Sequence, residues 1–380
     1  MRKSFAIYRL CFAAAFCFAA ASGFAQNSDP SWLILERGKR FFREGEYGEA
    51  LKCFEGARRE RENKYARHEQ DLITVLSLHA VRRLGDDLGL VETYIQKEFR
   101  AAAATALNEL YYRFPRASLK NSAAKALESL GSLKKFPEAE YWIGEVYRSE
   151  GEYGIALAQY RKAYDQKELV EESGFGLDIL YKMADISALR RDYIGMENHL
   201  NEILKTDDSW NEENLARSAM VNSAANNGID RFLVLYRSDR AELEKAHRLL
   251  GLYYYASNRQ NRAVEHLLFS FLVQNTVIIE SLKKQRYDYS FTTLAALLRD
   301  IAESGRDTRR NIEQYMTDSE YYRVLYYLGN AFYGSGRSAA ARGIWSFLAN
   351  SGPLEWSGRA RSQLSRPVLD GVPEDAPASR

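Results

Sequence analysis

The side chains most able to bind a metal or act as nucleophiles are few: five histidines (His68, His79, His199, His247 and His266) and three cysteines. A helical zinc site needs two such ligands about one turn apart, so that both reach the same ion. No two histidines have that spacing. Glu244 and His247 lie one turn apart, but two ligands do not close a site, and a lone pair of this kind is ordinarily a solvated helix face. Cys53 stands beside Phe54 in an apolar row, which reads as a small core residue; a nucleophilic thiol would need a depressed pKa. Ser122-Ala123-Ala124-Lys125 spells a Ser-x-x-Lys acyl-transfer pattern. Its companions are missing: Lys205-Thr206 is followed by Asp207 rather than glycine, and no Ser-x-Asn segment stands in the right context. Gly174-Phe175-Gly176 lacks the third glycine and the preceding strand of a nucleotide loop. These residues point to no catalytic centre, cofactor or metal, so the sequence predicts a protein that is not an enzyme.

The elements that carry these residues must be largely helical. Of 380 residues 46% are hydrophobic, enough for a packed core. There are only 7 prolines, so long helices can run uninterrupted. The first 25 residues read as a secretory signal: Arg2, Lys3 and Arg9 are basic, Leu10 to Ala21 is apolar, and Ser22, Gly23 and Ala25 suit a peptidase. The apolar run is about a dozen residues, short of the roughly 20 that span a bilayer. Cleavage after Ala25 would leave a chain starting at Gln26, exported to the periplasm or the exterior. Neither Cys11 nor Cys17 is placed as a lipid-bearing cysteine, and Cys53 alone remains after cleavage, so no internal disulfide is possible. The chain's net charge is +2; removing the three basic leader residues leaves 50 basic against 51 acidic side chains. With signs so mixed, nucleic-acid binding is not expected. The last residues, 366–380, are rich in Pro, Gly, Asp and Ser and read as a disordered tail.

Self-similarity decides the architecture. Glu44-Gly45-Glu46-Tyr47-Gly48-Glu49-Ala50-Leu51 recurs at 150–157 with seven of eight positions identical. The match extends upstream, where Gly38 and Phe41 correspond to Gly144 and Tyr147, and downstream, where Phe54 and Ala57 correspond to Tyr160 and Ala163. Leu250, Gly251 and Tyr254, followed by Asn258, Ala263 and Leu267, form another copy. So do Leu328, Gly329 and Phe332, followed by Gly336, Ala341, Trp345 and Pro353. A degraded fifth copy runs through Ala184, Arg191, Tyr193, Met196, Leu200 and Ile203. These residues resemble the tetratricopeptide signature, although its tryptophan is mostly absent and only the last copy keeps its proline. The resemblance implies an all-α fold: a right-handed superhelical solenoid of stacked antiparallel helix pairs. It places clear units near 31–64, 137–170, 244–277 and 322–355, with degenerate units filling 26–365.

Physical chemistry explains the spacing. Gly38, Gly144, Gly251 and Gly329 fall mid-helix, where glycine costs about 1 kcal/mol relative to alanine. That cost is recovered if the missing side chain lets the second helix approach, with Ala50, Ala156, Ala263 and Ala341 as facing small residues. Gly45, Gly151 and Gly336 fall between helices, where a left-handed cap favours glycine. Segments 71–84, 101–112, 119–130, 215–225 and 291–301 also carry helical patterns. The separation of Gly251 from Gly329 exceeds one repeat, so additional helices must intervene.

The resemblance implies function through a concave face that binds a protein or peptide. Helical spacing from each glycine selects Lys39, Phe42 and Arg43 in the first unit, then Tyr141, Glu145 and Arg148. Later units contribute Arg248, Leu252 and Tyr255, then Tyr326, Asn330 and Tyr333. Tyrosine and arginine are enriched at binding hot spots. Family members that clamp a terminal carboxylate use a Lys and Asn ladder; here Tyr326 stands where that pattern places a lysine. An internal peptide segment or a folded surface is therefore the expected ligand. The alternative is an accessory subunit that docks on a transport, secretion or envelope-motor complex, with a membrane-complex subunit as partner.

Overall fold

The computed structural model describes residues 29–77, 131–206 and 215–371. The leader, Ser122, Lys125, His79 and the helical patterns at 101–112 and 119–130 lie outside the described residues. Among those described, the chain is all-helical, with 15 α-helices packed in neighbouring pairs and no strand. It divides into two compact units, 1–175 and 176–380.

The first unit contains α1 (Ser31–Arg43), α2 (Tyr47–Ser77), α3 (Pro137–Ser149) and α4 (Tyr153–Tyr164). Helix α1 packs on α2, α3 on α4, and α2 on α3. Their shared core is built from Leu35, Ala50, Phe54, Ala57, Phe136, Ala139, Ile143 and Val146. Helix α2 runs through the expected end of its repeat at 64, and the described part of the 71–84 pattern, 71–77, belongs to the same long helix.

The second unit opens with α5 (Phe175–Leu189), whose first residue lies at the unit boundary, and α6 (Tyr193–Leu204). It continues through α7 (Leu215–Asn227), α8 (Ile229–Leu235), α9 (Glu244–Ala256) and α10 (Gln260–Lys283). The last five helices are α11 (Leu294–Glu303), α12 (Arg306–Asp318), α13 (Tyr321–Gly334), α14 (Ser338–Ser351) and α15 (Leu354–Ser365). The long gap between Gly251 and Gly329 is filled by an overlong α10 and the extra pair α11 and α12. Helix α10 is long and apolar enough to cross a membrane by length and composition, yet it is largely buried within the unit. It packs against α9, α12 and α13.

Five turns repeat one geometry. In each, a residue in the left-handed region follows the first helix: Gly45 at φ 81°, Gly151 at 82°, Arg191 at 60°, Asn258 at 58° and Gly336 at 83°. Its N–H donates to the carbonyl three residues back, and the next N–H donates to the carbonyl five back: Gly45 to Phe42 and Glu46 to Phe41, through to Gly336 to Tyr333 and Arg337 to Phe332. This pair of bonds satisfies the carbonyls orphaned at a helix end. The degraded copy keeps the turn with arginine in place of glycine.

The mid-helix glycines are sites of close approach. A Cβ on Gly38 would stand 2.6 Å from Phe54 Cε1, on Gly144 2.8 Å from Tyr160 Cε1, on Gly251 2.6 Å from Leu267 Cγ, and on Gly329 2.8 Å from Trp345 Nε1. The second helix does approach closely, but the atom nearest the glycine belongs to the large residue one turn beyond the alanine. Ala50, Ala156, Ala263 and Ala341 are fully buried. Each ring or leucine lies over its own pair's glycine.

Candidate functional site

The residues picked out by spacing sit one and four after each glycine and, in the last three sets, three before it; Arg43 stands five after Gly38. Burial separates them into an open set and a covered set.

In the first unit the face is open. Arg43 is exposed, and Lys39, Phe42, Tyr141 and Arg148 are partly exposed. Phe42 meets Tyr47 and Trp142 with ring centroids 5.4 Å apart in both cases. Lys39 Nζ stands 5.7 Å from the Trp142 centroid. Tyr141 meets Trp142 edge-on at 5.6 Å. Trp142, a central member of this cluster, was not among the residues chosen by spacing; it adjoins Tyr141 in sequence and is held by Phe54 and Phe42. Glu145 is buried: it pairs with Arg148 at 2.8 Å and accepts the Tyr160 hydroxyl. Burial first, then the Glu145 charge, pushes the Tyr160 phenol up, so it stays a donor. Glu145 thus fixes its own helix pair rather than facing solvent.

In the second unit the selected residues are mostly covered. Arg248 is buried between Glu244, at 3.3 Å, and Glu320, the residue before α13. Glu244 also accepts Ser270 Oγ and Gln274 Nε2, each at 2.8 Å. This buried polar network joins α9, α10 and the start of α13, so Arg248 is a structural residue. Leu252, Tyr255, Tyr326 and Asn330 are also buried, and Tyr333 is partly exposed against Trp345.

The cover over the tyrosines is the chain itself. The tail was expected to be disordered over 366–380; its described part, 366–371, folds back on α9 and α13. Tyr255 Oη donates to the Asp370 carbonyl at 2.8 Å, Tyr326 Oη to the Asp370 carboxylate, and Tyr327 Oη to the Gly371 carbonyl at 3.0 Å. Asp370, Tyr327 and Gln363 were missed by sequence reasoning. The density of tyrosine in Tyr321–Tyr333 was the available signal.

Cys53 is partly exposed beside Gly38, and burial pushes its thiol up, away from nucleophilic character. His247 and His266, far apart in sequence, have ring centroids 5.3 Å apart inside the α9–α10 pair. Burial, then the neighbouring His247, Arg217 and Arg262, hold His266 well below the usual imidazole range. Among the described residues no three His, Cys, Asp or Glu side chains converge.

No known protein-family profile matches the sequence. It is 20% identical over 281 residues to an uncharacterized protein of Borreliella burgdorferi (strain ATCC 35210 / DSM 4680 / CIP 102532 / B31), covering 67% of this chain and 85% of that one. Over 364 residues it is 24% identical to an uncharacterized protein of Treponema pallidum (strain Nichols), which spans 93% of this chain and 96% of its relative.

Proposed function

We propose that this chain is a protein-interaction scaffold whose helix pairs are of the tetratricopeptide type, exported by its N-terminal leader, with no catalytic step of its own. One observation carries the reading. Four helix pairs hold a close-packed glycine and a left-handed turn in the same register, and the first helix of each places an aromatic or basic residue (Phe42, Arg148, Tyr255 or Tyr333) four residues after that glycine. Within the first unit that register leaves Phe42 and Arg148 partly exposed, and repeat proteins build binding surfaces by repetition of this kind. Rigid aromatic side chains and arginine are the types that dominate binding energy when a partner desolvates them.

The test is site-specific photo-crosslinking in the native cell. A photoreactive amino acid at Phe42, Arg43 or Arg148 is expected to capture the same protein from each position. The same group at exposed Ile155, Ile194 or Gly343, on second helices, is expected to capture none of it. Equal capture from both sets, or none from the first, would overturn the reading.

A further inference from the structure

After α15 the chain leaves helical geometry at Arg366, with φ −143° and ψ 92°, and Arg366–Gly371 continues without regular structure. This strap is held in the way an extended peptide ligand is held. Its Val368 N–H donates to Gln363 Oε1 at 2.8 Å. Leu369 lies against Gly334, where an added Cβ would come within 3.1 Å of Leu369 Cδ2. Three phenols, Tyr255, Tyr326 and Tyr327, then donate to two backbone carbonyls and one carboxylate.

The donors are set from behind. Trp345 Nε1 donates to Asn330 Oδ1 at 3.1 Å, Asn330 Nδ2 to Tyr255 Oη at 3.5 Å, and Gln363 Nε2 to Tyr326 Oη at 3.1 Å. Each buried amide fills the acceptor side of a phenol, which leaves its hydrogen to point at the strap. Preorganised donors of this kind fit an anionic or carbonyl-rich segment. The strap itself buries little: Val368 and Leu369 remain 46% and 48% exposed. Polar bonds with little apolar burial make a contact that another segment can replace.

We propose that this tyrosine groove is a site for an extended peptide bearing an apolar residue followed by an aspartate or glutamate, and that the strap occupies it in cis until such a segment displaces it. The proposal rests on the protein-binding reading above and gives it a ligand class and a regulatory device. A tethered occupant acts at an effective concentration in the millimolar range, so a free segment of equal intrinsic affinity is masked.

The test uses the full chain and a fluorescein-labelled, C-terminally amidated peptide of sequence 366–371, read by anisotropy. Asp370→Asn in the protein removes the charged acceptor from the strap alone. The wild-type peptide is expected to bind that variant about tenfold or more tightly than it binds the wild-type chain. An Asp-to-Asn change in the peptide, or Tyr326→Phe added to the variant, is expected to cancel about that gain. A chain ending at Ser365 is a second way to free the groove, and Gly334→Leu, which crowds Gln260 as well as Leu369, is a third; both are checked by circular dichroism. Peptide binding that is equal in the wild type and Asp370→Asn, or absent from every folded strap-released variant, overturns the proposal. If crosslinking from Phe42 and Arg148 persists in that case, the strap model fails and the interaction reading stands. If the peptide binds as expected while those positions capture nothing, the groove stands and the wider face fails.

Discussion

Gly251 offers the sharpest test of the pair packing. Ordinary contact of a Cβ begins near 3.4 Å, whereas the position on Gly251 lies 2.6 Å from Leu267 Cγ and 3.0 Å from the Leu267 backbone nitrogen. The leucine side chain would have to retreat about 0.8 Å (3.4 less 2.6) and the backbone of α10 about 0.4 Å (3.4 less 3.0). The side chain has nowhere to go, because Leu267 is fully buried, and α10 is packed along most of its length. Gly251→Ala gains about 1 kcal/mol of helix propensity and loses roughly 1–3 kcal/mol to overpacking, for a net loss of about 1 kcal/mol. Gly251→Leu keeps most of the propensity gain and adds three more carbons to the same space, so its loss reaches about 3 kcal/mol. In a unit of this size each kcal/mol moves the melting temperature by roughly 2–4 °C. Gly343 is the control: it lies inside α14 with no atom within 4 Å of an added Cβ, so Gly343→Ala is expected to stabilise by about 0.5–1 kcal/mol. Thermal melts by circular dichroism give the comparison. A Gly251→Leu melt at or above that of wild type, with Gly343→Ala behaving as stated, would refute close packing of α9 on α10 at this point.

Further expectations concern charge, pH and backbone. Arg248→Met leaves buried Glu244 without a cation, while Glu320 keeps Arg323, and is expected to cost roughly 3–5 kcal/mol, much of it recovered by adding Glu244→Gln; denaturant titration of the two variants and wild type measures this. His266 has its folded pKa depressed by burial, so the unfolded chain takes up the proton first; stability is full above the unfolded value of about 6.5 and falls as pH drops below it. Melts at pH 7.5 and 5 should show that loss, and His266→Phe should reduce it. Arg191 holds φ 60° where three other copies have glycine, so Arg191→Gly is expected to add roughly 0.5–1 kcal/mol, read by the same melts. Tyr326 is pushed up to about 12, by burial and then by its bond to Asp370, against an unfolded value near 10. Its contribution is therefore full below pH 10 and is lost as pH rises toward 12, which Tyr326→Phe should remove from the alkaline limb of a pH–stability curve.

The helix pairs were legible because their signals are local. Glycine at the turn and glycine sixteen residues before a large side chain each reflect a steric requirement that few residues satisfy, and Gly38–Phe54, Gly144–Tyr160, Gly251–Leu267 and Gly329–Trp345 repeat it. Helix lengths were less legible. Nothing at 64 or 277 stops a helix, since no proline or glycine stands there, and α2 and α10 run on to Ser77 and Lys283. Which face residues are open was not legible at all. Tyr326 and Tyr141 occupy the same offset from their glycines, yet one is fully buried and the other is not. The difference lies in residues 366–371, whose composition signals disorder because it contains little to bury. Hydrogen-bond acceptors on an extended backbone leave no mark in composition.

That difference bears on what the tyrosines are for. A phenol kept only for packing needs a single partner, and any buried acceptor serves; Tyr321, fully buried on α13, finds Asn275 Oδ1 at 3.1 Å within the helix layer. Tyr255 and Tyr326 sit a layer further out, and Asn330 and Gln363 fill their acceptor sides with donors. With that side filled, each phenol must send its proton to something beyond the helices, because a buried donor left unpaired costs about 1–3 kcal/mol. In this structure the strap takes both protons. A segment that covers these phenols therefore carries that cost unless it brings its own carbonyls and carboxylate to the same places, so the unpaired-donor penalty selects for the acidic residue that follows the apolar one.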